Sequence, residues 1–84
     1  MSTARKDAAR AFGQALRAAR MARGFSQEQL AEGAELDRTY PSLLERGLRS
    51  PTLLMVIEIA NALGIEPSQL VSETLERLRK GGQE

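Results

Sequence analysis

Helix start and stop signals recur about every 10–15 residues along this chain, and they restrict it to short helical elements. Gly24, Gly47 and Gly64 each close a segment with apolar residues at helical spacing. A glycine in that place supplies the left-handed residue on which many helices end. The starts are equally marked. Ser26 followed by Gln29 has the reciprocal spacing of a capping box. Asp37 suits the cap of a third helix, and Ser50-Pro51 or Thr52 that of a fourth. Pro67 fits the first position of a fifth, with Ile65 and Leu70 spaced as a hydrophobic staple.

Between these signals the apolar residues repeat with helical period. Phe12, Leu16 and Ala19 share one face of a first helix expected over residues 7–23. Leu30 and Ala31 are the buried candidates of the second. Leu36, Leu44 and Tyr40 point inward in the third. Leu53, Val56, Ile59, Ala60 and Leu63 form the stripe of the fourth, and Leu70, Val71, Leu75 and Leu78 that of the fifth. No segment alternates like a strand. The expectation is an all-α, five-helix domain over residues 1–84, with its core in 8–79 and fraying termini, including 79–84.

Composition narrows the chemistry. A chain of 84 residues makes one small domain, and with 42% hydrophobic and 27% charged residues it is an ordinary globular one. It has no cysteine and no histidine, so disulfides, thiolate or imidazole metal sites and the commonest general base are all absent. The chain is therefore expected to be neither an enzyme nor a metal or cofactor protein. No apolar run is long enough to span a membrane, and the first residues lack the apolar stretch of a signal peptide. A cytoplasmic location is expected. The net charge is only +1, but residues 1–25 carry six basic side chains against one acidic, while 26–47 carry two against five. The basic first segment suits phosphates or simply solvent.

The second and third helices are separated by only "GAEL". Two short helices with so tight a turn form a helix-turn-helix, here about residues 26–47. Around that pair stand L-R-x-x-R-x-x-x-G, S-Q-x-x-L-A, Y-x-S-x-L-E-R-G, P-T-L and I-A-x-A-L-G-I, in order, over residues 12–70. This run resembles the phage-repressor/Cro-like, or xenobiotic-response-element, helix-turn-helix family. Within it the short length and "LDRTY…ERGLRSPTL" look most like the controller proteins of restriction–modification systems.

The resemblance implies a transcription regulator that binds double-stranded operator DNA as a homodimer. Its recognition helix, residues 37–46, would lie in the major groove. It assigns Gln27 to a phosphate, and Arg38, Thr39, Ser42 and Leu43 to the base-reading positions. Arg38 is the strongest reader, because a guanidinium can bond guanine O6 and N7 together. Leu43 can offer only an apolar contact. The Tyr40 hydroxyl suits a phosphate while its ring packs, Arg46 and Arg49 fall where relatives often meet the backbone, and Arg20 with Glu45 matches a structural salt bridge. Surplus apolar residues Met55, Ile57, Leu75 and Leu78 are the candidates for the two-fold contact. No small-molecule ligand is expected. An antitoxin or a protein–protein module on the same fold are the alternatives.

Two positions depart from the family. Glu35 stands where the inter-helix turn usually has glycine, so either it is left-handed or Gly33 reshapes the turn. Pro41 replaces a branched apolar residue and lacks the backbone N–H a helix uses, which predicts a distorted first turn.

Overall fold

The structure, a computed structural model, describes residues 3–81 of the chain. Five helices follow one another: α1 Thr3–Arg23, α2 Gln27–Gly33, α3 Tyr40–Glu45, α4 Leu53–Leu63 and α5 Pro67–Gly81. Among the described residues there is no strand. The expected fold class is the observed one.

Local signals act as expected at most boundaries. The Ser26 hydroxyl accepts the Gln29 N–H at 3.0 Å, and the Gln29 side-chain oxygen accepts the Ser26 N–H at 2.8 Å. The Thr52 hydroxyl caps α4 by accepting the Met55 N–H at 3.1 Å. Helices α1, α3 and α4 run out into left-handed glycines, Gly24, Gly47 and Gly64. At each, the next residue's N–H returns to a carbonyl five positions back: Phe25 to Arg20, Leu48 to Leu43, Ile65 to Ala60. This closure satisfies carbonyls that a helix end otherwise leaves free.

Two boundaries and two faces differ from expectation. Helix α1 begins at Thr3 rather than residue 7, because Ala4, Arg5 and Lys6 are good helix formers with no breaker before them. Helix α5 continues through Arg79, Lys80 and Gly81 where fraying was expected. Glu76 lies 3.8 Å from Arg79 and 3.7 Å from Lys80, and basic side chains suit a helix C-terminus. The expected fraying of 82–84 and of 1–2 lies outside the described residues. Leu53 is not core: it is 75% exposed, because it sits one turn ahead of the buried stripe Val56, Ile59, Ala60 and Leu63. Val71 and Leu75 are likewise exposed on α5, where Leu70 alone is buried.

Every helix contributes at least one aliphatic side chain to a common centre. Leu16, Leu30, Leu44, Ile59, Leu63 and Leu70 are almost completely buried there, flanked by Phe12, Ala15, Ala34 and Val56. Each such leucine or isoleucine stabilises the fold by about 1.5–3 kcal/mol relative to exposure. Helix α1 is the spine, touching α3, α4 and α5, while α2 packs on α3 and α4. Gly13 makes one of these contacts possible. A Cβ at Gly13 would fall 2.4 Å from the Leu44 carbonyl oxygen and 2.6 Å from that of Glu45. The C-terminal end of α3 thus rests on bare α1 backbone.

Candidate nucleic-acid interface

The turn between α2 and α3 is built in two steps. First, α2 ends as the glycine-stopped helices do: the Leu36 N–H bonds the Ala31 carbonyl at 2.8 Å and the Glu35 N–H bonds Glu32 at 3.3 Å. The left-handed residue is Glu35, at φ 56°, and Gly33 remains the last residue of α2. The family's usual glycine geometry is therefore kept with a glutamate, at a cost of about 1 kcal/mol. Second, Asp37 folds its carboxylate back onto Thr39, accepting the backbone N–H at 2.9 Å and the hydroxyl at 2.7 Å. The Thr39 hydroxyl, then its N–H, hold the Asp37 carboxyl below its ordinary pKa.

Helix α3 is shorter than expected. It opens at Tyr40, not at Arg38, with Thr39 rather than Asp37 at the cap position. The reason is Pro41. Without an N–H it cannot donate to the Asp37 carbonyl, which instead takes the Tyr40 N–H at 3.0 Å in a tighter i→i+3 bond. The Leu43 N–H then reaches Thr39 at 3.4 Å. Pro41 is itself almost fully buried, so it serves as a core side chain at the second helical position. Arg38 and Thr39 consequently lie in the turn ahead of the helix, and the helical residues end at Glu45, one short of the expected boundary.

The far end of α3 is tied by a buried carboxylate. Glu45 receives Arg20 Nε at 2.6 Å and Arg20 Nη2 at 3.1 Å, while Arg20 Nη1 donates to the Phe25 carbonyl at 2.7 Å. One arginine thereby joins the end of α1, the loop before α2 and the end of α3. Its pKa is raised, first through the hydrogen bond to Glu45; burial opposes the shift and the Glu45 charge reinforces it. Glu45 has a second partner that sequence reasoning missed: the Gln27 amide donates to it at 3.1 Å. That amide has two N–H groups, and one is committed here.

The outer edge carries the remaining candidates. Arg38, whose side chain is 80% exposed, forms an ion pair with Glu28 of α2, 2.7 Å from Nη2 to Oε1. No spacing rule joins residues on either side of a turn, so Glu28 could not be found from sequence. Thr39 is exposed, but its hydroxyl hydrogen is given to Asp37, which leaves the oxygen as an acceptor. Ser42 and Leu43 are half-buried on α3, and Tyr40 is half-buried against the core. Arg46 and Arg49 are exposed and fold onto the main chain, Arg46 Nε 3.4 Å from the Ser42 carbonyl and Arg49 Nη1 3.0 Å from that of Leu48. Gln27 and Glu28, adjacent at the start of α2, thus touch opposite ends of the α3 segment.

The four candidate interface residues do not share one face equally. Ile57 and Leu75 are exposed. Met55 packs half-buried against the core, and Leu78 is half-buried in a cleft shared with Asp7, Ala11 and Gln14 of α1. Besides Ile57 and Leu75, the exposed large apolar side chains among the described residues include Leu48, Leu53 and Leu54.

A helix pair closed by a tight turn, with a polar edge presented from a shared core, defines a helix-turn-helix domain. Residues 16–70 match the model of the helix-turn-helix family, and the chain belongs to that family. It is similar to control protein C.BamHI of Bacillus amyloliquefaciens, with 42% identity over 64 residues, covering 75% of this chain and 79% of that protein. The immunity repressor of Bacillus phage phi105 is 43% identical over 61 residues, 73% of this chain but only 42% of the repressor. Among solved structures, the restriction–modification controller protein C.AhdI of Aeromonas hydrophila superimposes with a TM-score of 0.72 at 47% identity, covering 74% of this chain and 94% of that one. No single helix among the described residues is long and apolar enough to cross a membrane.

Proposed function

We propose that this protein is a sequence-specific DNA-binding transcription regulator without catalytic activity, acting in the cytoplasm as a homodimer of single-domain chains. The observation that carries the reading is the exposed Arg38–Thr39 turn leading into α3, where Ser42 and Leu43 are half-buried and the far end is anchored through Glu45 to Arg20. In a major groove, Arg38 addresses guanine O6 and N7, and Thr39 accepts from an exocyclic amine. Ser42 and Leu43 follow along α3, Leu43 meeting a thymine methyl. The free N–H of Gln27, the Tyr40 hydroxyl, Arg46 and Arg49 take phosphates.

One such edge covers few base pairs, so two copies reading half-sites about one DNA turn apart supply the specificity. Leu53, Leu54, Ile57 and Leu75 are the apolar side chains that a second copy would cover; Met55 and Leu78 contribute less, being committed to their own chain. Selection from a random duplex library tests the proposal. A preferred two-fold symmetric site is expected, with affinity falling steeply as salt rises. Binding without base preference would refute it, and an Arg38→Ala variant that keeps the full preference would remove Arg38 as a reader.

A further inference from the structure

Arg38 differs from the other candidate readers in standing ahead of the recognition helix, on a turn, with a long side chain almost wholly in solvent. A flexible arginine there samples many rotamers, and fixing one of them on a base edge costs conformational entropy. The structure supplies a restraint. Glu28 Oε1 lies 2.7 Å from Arg38 Nη2, and Glu28 projects from the first turn of α2, whose start is fixed by the Ser26–Gln29 capping box. The contact is an ion pair at one terminal nitrogen, Nη2, so the other N–H groups of the guanidinium stay available for a bidentate contact.

We infer that Glu28 is a specificity-determining positioning residue: it holds the Arg38 guanidinium so that its free edge meets a guanine. This rests on the proposed DNA-reading role of Arg38. The arrangement has a second consequence of opposite sign. A carboxylate at a DNA-facing edge repels phosphates, so Glu28 lowers affinity for every duplex while sharpening the choice of one base pair. Removing it separates the two effects.

The test measures binding of the full-length protein to its selected site, to that site with the guanine replaced, and to unrelated duplex, for wild type, Glu28→Gln, Arg38→Ala and the double variant. In Glu28→Gln, discrimination at that base pair is expected to fall about three-fold, in keeping with an exposed ion pair. Affinity for unrelated duplex is expected to rise. Arg38→Ala loses discrimination about ten-fold or more. In the double variant Glu28→Gln adds no further loss of discrimination, yet still raises affinity for unrelated duplex. Full discrimination in Glu28→Gln, beside a wild type that prefers guanine and an Arg38→Ala that does not, overturns the Glu28 role alone. A parallel drop in affinity for all duplexes does the same, since it marks a general structural effect. A wild type with no base preference overturns the regulator reading itself.

Discussion

Glu35 occupies a backbone conformation that glycine adopts without steric cost. At φ 56° it closes α2 in the way that Gly24, Gly47 and Gly64 close α1, α3 and α4. Glu35→Gly is expected to stabilise the domain by up to about 1 kcal/mol, the cost of a side chain in the left-handed region. Thermal unfolding would register it as a rise of about 4–8 °C per kcal/mol in a domain of this size. Gly13 is the opposite case. Its missing Cβ admits the Leu44 and Glu45 carbonyls, so Gly13→Ala is expected to cost about 1–3 kcal/mol in denaturant unfolding, as overpacking does. Asp37 carries a pH signature. Its folded pKa lies below its unfolded value, so the stability it contributes is present above the ordinary value of 3.8 and is lost as pH falls through the folded one. NMR titration of the Asp37 carboxyl should give a midpoint below 3.8, and Asp37→Asn should abolish that part of the acid sensitivity.

At the scale of elements, the informative contrast is between α2 and α3. Every determinant of α2 is local, and "SQEQLAE" names its cap, its reciprocal partner and its buried Leu30 and Ala31. Helix α3 has six residues, too few to hold on propensity, and it persists because both ends are tied elsewhere. Asp37 fastens the entry; Arg20 fastens the exit through Glu45, whose side chain is 4% exposed. Arg20→Ala strands that carboxylate with a lone glutamine amide and is expected to cost about 3–5 kcal/mol. The double variant Arg20→Met with Glu45→Leu should recover most of that loss in equilibrium unfolding, since no buried charge remains. Failure of the double variant to recover would mean that the pair does more than hold α3. The family resemblance named Arg20 and Glu45 but assigned Gln27 to a phosphate, so its amide bond to Glu45 was visible only once α2 was packed on α3.

For the whole molecule, the apolar side chains left outside the core concentrate on the outer face of α4 and on α5. If a second copy covers Leu53, Leu54 and Ile57, Leu53→Asp with Leu54→Asp should halve the mass seen in sedimentation. Helical content should stay unchanged, because neither side chain supports the core. Operator affinity should fall with it, since a monomer offers one half-site. Retention of the dimer mass in that variant would move the contact toward Leu75 on α5.

The sequence by itself determined the helices and most of their ends, since caps, left-handed stops and apolar periods act over three to five residues and leave their mark in composition. It also determined the family, through spaced motifs from Leu16 to Ile65. Tertiary structure decided what each signal was worth. It turned Pro41 from a helix-breaker into a buried core residue, put Leu53 in solvent, and joined Glu28 to Arg38 and Gln27 to Glu45. Those outcomes depend on where a turn directs two side chains and how closely two backbones approach. The first is set by the α2–α3 turn at Glu35 and Asp37, and the second by the packing of α1 against α3 around Gly13, whose importance lies in the atom it lacks.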